Sequence, residues 1–306
     1  MRDPYSNFQD TTTPEIRLHG TEGVPRKRNV WIHVALFVLT IFSTYLVGLS
    51  DGWIGAAWYS IGIITILLAH EMGHYLMAKK HGVPTTLPYF IPMPLPPFGT
   101  MGAIIKMEGR IPDRRALFDV GVAGPLAGLA LIIPAIFVGL KLSRVVEISS
   151  LGEGTMPLGD SLLFSFLTRV AVGTLPEGQD ILLHPLAFAG WVGLLVTALN
   201  LLPIGQLDGG HIMYALFWRK SRFISTVFYM VLLYVCLFHF VGWFPLIVVL
   251  TIIRRHPPTM NDSIMLDRKR RIVGILALVL FVLAFTPVPF GIGEGLIPLL
   301  MKQFHP

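Results

Sequence analysis

Long apolar runs separated by short polar joints dominate the chain. Runs long enough to cross about 30 Å of hydrocarbon occur near residues 30–49, 53–78, 116–140, 183–203 and 272–290, and each predicts a membrane-spanning helix. The run 223–253 is too long for one ordinary span and short for two full ones, with Gly242 and Pro245 placed for a turn. As a hairpin it keeps Arg219-Lys220, Arg254-Arg255 and Arg268 to Arg271 on one side, so two short helices are expected there. The fold class that follows is an all-α polytopic membrane protein of about seven transmembrane helices.

One segment breaks this pattern. Between the second and third runs, residues 84–97 hold six prolines among apolar residues, which rules out a helix before Phe98, and Gly-spaced β-prone residues follow to Met107. Phe90, Ile91, Met93, Leu95 and Phe98 are poorly solvated in free solution. A re-entrant Pro-rich loop with a β-edge around Gly99 to Met107 is therefore expected in preference to a cytoplasmic polyproline ligand for a partner domain or a mere covering loop. That edge can pair with an unwound substrate through Gly99, Thr100, Met101, Gly102 and Ala103.

Composition agrees with a membrane protein: 53% of residues are hydrophobic and only 14% charged, where soluble domains carry about 25%. The net charge of +6 does not mark a nucleic-acid binder, because Arg26-Lys27-Arg28, Lys79-Lys80, Arg219-Lys220 and the later pairs sit at the ends of apolar runs. Cys236 is the only cysteine, which excludes an intrachain disulfide and a thiolate metal site. The organisation expected is a cytoplasmic tail at 1–29, a first helix at 30–52, a three-helix core at 53–215, further helices at 216–290 and a tail at 291–306. The polar segment 141–180 and the tail are placed outside, with the patch Leu296 to Met301 at the membrane interface. The polar N-terminus lacks an apolar signal core and a transit-like composition, so a prokaryotic plasma (inner) membrane is expected, with the active site toward the cytoplasm.

The chemistry-bearing motif is His70-Glu71-Met72-Gly73-His74, within the second apolar run. Residues four apart stack on one helix face, so His70 and His74 can offer two imidazole nitrogens to one Zn²⁺, with Glu71 about 100° round as a general base. A third protein ligand is required. Asn200-Leu-Leu-Pro-Ile-Gly-Gln-Leu-Asp208-Gly-Gly210 ends the fourth run on the same side, which makes Asp208 the candidate. Its two glycines fit either a close backbone approach or positive φ. His33 and His239 are expected to be hydrogen-bonded or interfacial, His81 to be a solvated helix end, His184 to be interfacial on the far side, and His211 to lie beside the site without being a ligand.

The two motifs together resemble the site-2 protease family of intramembrane zinc metalloproteases, peptidase family M50, over about residues 53–215. The likeness is to its plastid and bacterial branch. The resemblance implies one zinc per chain on His70, His74 and Asp208, with Glu71 as base and Asn200 placing substrate or stabilising the oxyanion. It also implies cleavage of single-span or membrane-anchored proteins in regulated intramembrane proteolysis. Gly124-Pro125-Leu126-Ala127-Gly128 carries Gly128 where some members have Asn, and the external loop is too short for the PDZ domain of many bacterial members. The alternative readings are a membrane zinc carrier, expected to spread binding residues over several spans, or a non-catalytic scaffold.

Overall fold

In a computed structural model, which describes residues 29–150, 152, 155–291 and 294–299, the long apolar runs are helical. The tail expected at 1–29 lies outside the described residues except for Asn29, as do residues 300–306 of the C-terminal tail. Helix α1 (Val30–Gly48) turns at 49–51 into α2 (Gly52–Lys80). A two-stranded antiparallel hairpin follows, β1 (Tyr89–Pro92) and β2 (Thr100–Ile104), registered Tyr89 on Ile104 and Phe90 on Ala103. Helix α3 (Arg114–Leu142) starts at an Asp113 cap, whose carboxylate accepts from the Arg115 and Ala116 N–H groups at 2.8 and 2.9 Å.

The segment after α3 is more structured than its polar composition implies. Strand β3 (Arg144–Glu147) pairs antiparallel with β4 (Gln179–Leu182), and the amphipathic helix α4 (Leu162–Ala171) lies between them, its Phe164, Leu167 and Ala171 buried. Helix α5 (Pro185–Asn200) then enters the core, followed by α6 (Asp208–Phe217), α7 (Ser221–Phe238), α8 (Phe244–Ile253) and α9 (Arg268–Ala284). The break between α7 and α8 falls at 239–243, beside Gly242.

The run 183–203 does not form one continuous span. Helix α5 has 16 residues, rising about 24 Å, and stops at Asn200, three residues before Pro203, which has no N–H for the helical ladder. Among the described residues three helical stretches are long and apolar enough to cross a membrane by length and composition: Val30–Lys80, which contains both α1 and α2, Arg114–Leu142, and Asp208–Phe238. Helix α8, with 10 residues, rises only about 15 Å.

Helices α2, α3 and α5 pack around Tyr59, Ile63, Leu117, Ile132, Ile136, Trp191 and Leu194, all 2% exposed or less. Small residues bring these helices together, with Gly62 against Ala189 and Gly139 against the Ala187 backbone. The hairpin lies along α1: His33 Nδ1 is 3.1 Å from the Pro88 carbonyl, and Ser43 Oγ donates to the Gly99 carbonyl at 2.7 Å. Those two α1 residues are about 15 Å apart along the helix axis, so the hairpin follows α1 for that distance. At its tip Gly99, with φ 73°, abuts α1, where a Cβ would come within 2.7 Å of Thr44 Cα. The Tyr59 hydroxyl of α2 closes the contact by donating to the Phe98 carbonyl at 2.6 Å.

Candidate metal centre

Helix α2 presents His70, Glu71 and His74 inward, at 3%, 5% and 6% exposure, in its last three turns. His70 and His74 lie ten and six residues before Lys80, about 15 and 9 Å along the axis. Helix α3 accommodates them with glycine. At Gly124 a Cβ would fall on the His74 ring, and at Gly128 one would stand 3.3 Å from His70 Nδ1. Asp208 opens α6, the helix that restarts after the α5 break. Gly209 and Gly210 press that helix's first turn against the carbonyls of 201–205, where any Cβ would collide. Both are helical and absent from the positive-φ glycines, so close approach is the reason for them.

Three ligand atoms converge: His70 Nε2 and His74 Nε2 are 3.1 Å apart, and each is 3.2 Å from Asp208 Oδ2. Among the described residues these three form a group able to hold a metal ion. Zinc bonds of about 2.0–2.1 Å at tetrahedral angles separate ligand atoms by about 3.4 Å, so the triangle fits within a few tenths of an ångström. Protonation adds a second argument. His74 Nδ1 lies 2.8 Å from the Val120 carbonyl, which can only accept, so Nδ1 carries a proton. As a metal ligand the ring is neutral, and with Nδ1 protonated its lone pair lies at Nε2, the atom that meets His70 Nε2 and Asp208 Oδ2.

Glu71 stays out of the triangle, and the N–H of Ile105, one residue past β2, points to its carboxylate. Asn200 ends α5 with its amide Nδ2 3.2 Å from His70 Nε2. Of the expected substrate stretch, Gly99, Thr100 and Gly102 are buried, Ala103 is half-buried and Met101 is 70% exposed. Strand β2 therefore runs from the hairpin tip beside Tyr59 back to Glu71.

The remaining histidines divide. His33 packs against Tyr89, with ring centroids 4.1 Å apart and the planes tilted by 39°, His184 accepts from the Leu186 N–H at the start of α5, and His239 follows the end of α7. His211 lies outside the ligand group, with Nδ1 2.7 Å from His256 Nε2. His256 belongs to a strap at 254–267, and burial pushes its pKa down to about 4. That strap packs on α6 through Tyr214, which stacks on His256 and donates to Asp262 at 2.7 Å. His81 is no simple solvated helix end, since it pairs with Asp119 at 2.9 Å. None of these long-range partners carries a spacing signal that sequence reading can use.

Comparison with known proteins agrees with the geometry. The profile of peptidase family M50 matches residues 58–242. The chain is 39% identical over 171 residues to "Probable zinc metalloprotease EGY1, chloroplastic" of Oryza sativa subsp. japonica, covering 53% of this chain and 28% of that protein. It is 34% identical over 232 residues to the protein of the same name in Arabidopsis thaliana, covering 74% and 42%. With "Probable zinc metalloprotease EGY2, chloroplastic" of Arabidopsis thaliana it shares 32% over 249 residues, covering 79% and 43%. The chain thus spans less than half the length of these relatives.

These relatives overturn one expectation. A prokaryotic plasma membrane was inferred from the composition of the first 29 residues, whereas the relatives are chloroplastic and point to a plastid membrane. Where a chain of such partial coverage begins carries no information on targeting. The family profile covers more than half of the chain and includes both motifs whose side chains converge on one point, and on that ground this chain belongs to peptidase family M50.

Proposed function

We propose that the chain is a zinc-dependent intramembrane endopeptidase of a plastid membrane, acting on single-span or membrane-anchored proteins in regulated intramembrane proteolysis. The observation that carries this reading is the 3.1–3.2 Å triangle of His70, His74 and Asp208, with the Glu71 carboxylate beside it and apolar helices around it. His70, His74 and Asp208 would hold one zinc ion. Zinc, when bound, acidifies a water and polarises the scissile carbonyl. Glu71 accepts the proton of the attacking water and passes it to the leaving amine. Asn200, next to His70, donates its amide to the carbonyl oxygen under attack.

A helical substrate hides its carbonyls in its own ladder and must unwind to be cut. The β1–β2 hairpin offers the alternative partner: it dips back into the membrane along α1, and its β2 edge ends at Glu71. Residues 53–215 form the catalytic core. Seven crossings, with α7 and α8 as a short hairpin, keep Lys79-Lys80, Arg114-Arg115, Arg219-Lys220, Arg254-Arg255 and Arg268 to Arg271 on one face. Contacts support that grouping: Arg115 donates to the Met265 carbonyl, Arg114 reaches Ala215 and Asp262, and Gln206 reaches Arg255.

Purified chain in lipid nanodiscs with a single-span substrate tests the proposal. Expected are one zinc per chain and cleavage that a chelator stops and added zinc restores. Zinc flux across sealed vesicles without any cleavage would favour a carrier and sink the protease. A second test uses the buried state of Cys236, the chain's only cysteine. Met101→Cys, on the exposed face of β2, should form a disulfide with a cysteine placed within two residues of the scissile bond, and Leu162→Cys on α4 should not. Equal cross-linking at both positions would remove β2 as the docking edge.

A further inference from the structure

The ligand-bearing part of α2 is tied to a helix beyond the family-matched segment. Asp119, in the second turn of α3, accepts from Arg270 of α9 through both oxygens, Nε to Oδ1 and Nη2 to Oδ2, each at 2.7 Å. The same Oδ2 lies 2.9 Å from His81 Nε2, at the end of α2. Arg270 is also 3.2 Å from Asp267, the residue that caps its own helix. The adjoining residue on α3 is Val120, whose carbonyl receives His74 Nδ1 at 2.8 Å. One carboxylate thus joins α2, α3 and α9 next to the peptide group that orients a zinc-site imidazole. Side-chain exposures of 16%, 24% and 31% for Asp119, His81 and Arg270 leave this junction only partly open to water.

We propose that Arg270 and Asp119 are positioning residues for the zinc centre: their two-pronged ion pair, with His81, sets the height of α2 against α3 and so holds His74 at its Val120 carbonyl. The idea rests on the protease reading above. It goes beyond that reading by making α9 and the Arg268 to Arg271 cluster part of the active-site scaffold rather than only a charged anchor. The physical reason is geometric. A bidentate guanidinium–carboxylate pair fixes both distance and plane, and residues that orient ligand histidines affect metal affinity or activity by roughly 10- to 100-fold. Lysine supplies the charge without the fork and should restore only part of the effect.

The test compares the wild-type chain, Arg270→Gln, Arg270→Lys and Asp119→Asn, the last nearly isosteric in case the arginine variant folds poorly. Each chain is loaded with Co²⁺ in place of zinc, and its visible absorption and its rate of metal loss to a chelator are measured without substrate. Cleavage by the zinc-loaded chains is then resolved into kcat and KM. Expected for Arg270→Gln and Asp119→Asn are an altered cobalt spectrum, metal loss roughly 10-fold faster or more, and a kcat lowered about 10- to 100-fold with KM unchanged. Arg270→Lys should fall in between. Cobalt spectra and release rates equal to wild type in both Arg270→Gln and Asp119→Asn would overturn the proposal, even with activity reduced. A wild-type chain that takes up no cobalt would instead remove the zinc reading, and the proposal with it.

Discussion

Glu71→Gln is expected to lower the kcat of the proposed peptide-bond cleavage by on the order of 10³-fold, while zinc content stays at one per chain. The side chain is 5% exposed and outside the ligand group, so an isosteric amide fills the same space and leaves the triangle of His70, His74 and Asp208 untouched. Gln can also still accept from the Ile105 N–H that points to this carboxylate. What it loses is basicity: an amide does not take a proton from water or return one to the leaving amine. Metal analysis together with single-turnover cleavage separates the two effects. Wild-type cleavage by the purified variant would dismiss Glu71 as the base, and loss of zinc with loss of activity would make it a structural support.

The centre was legible because its chemistry is written in local spacing. His70 and His74 stand one helical turn apart, and a regular α2 brings them to one face. Asp208 could be assigned to the same level because the apolar runs alternate direction across a membrane. The manner of its delivery was not legible, because a new helix starting at Asp208 depends on Pro203 ending α5 and on Gly209 and Gly210 fitting against carbonyls of 201–205. The prolines announced a non-helical loop and the β-prone residues an edge near Gly99 to Met107, where β2 runs from Thr100 to Ile104, but the strand at Tyr89–Pro92 was not read. The pairing of β2 with β1 and the hairpin's seat on Ser43 and Tyr59 are tertiary facts. Helix α4 and the β3–β4 ladder were hidden in a polar segment whose apolar runs are too short to signal alone. The junction of His81, Asp119 and Arg270 was beyond reach, since Asp119 and Arg270 are 151 residues apart and neither belongs to a motif.

The two α3 glycines that face the histidines should respond very differently to one added methyl group. At Gly124 a Cβ overlaps the His74 imidazole at Nε2, Cδ2 and Cε1, closer than real Cβ contacts allow. The ring must leave, and leaving breaks both the 2.8 Å bond to Val120 and the convergence with His70 and Asp208. At Gly128 the added carbon stands 3.3 Å from His70 Nδ1, a crowding that a shift of a few tenths of an ångström relieves. Alanine favours a helix over glycine by about 1 kcal/mol, so neither substitution weakens α3 itself. Gly124→Ala should therefore yield a folded, membrane-inserted chain whose zinc affinity falls by on the order of 100-fold or more, with cleavage lost alongside. Gly128→Ala should keep its zinc and most of its activity. Zinc titration of the two variants side by side decides the matter: wild-type affinity in Gly124→Ala would mean that the ion does not need the His74 ring where it stands, and the arrangement of His70, His74 and Asp208 around one ion would have to be abandoned.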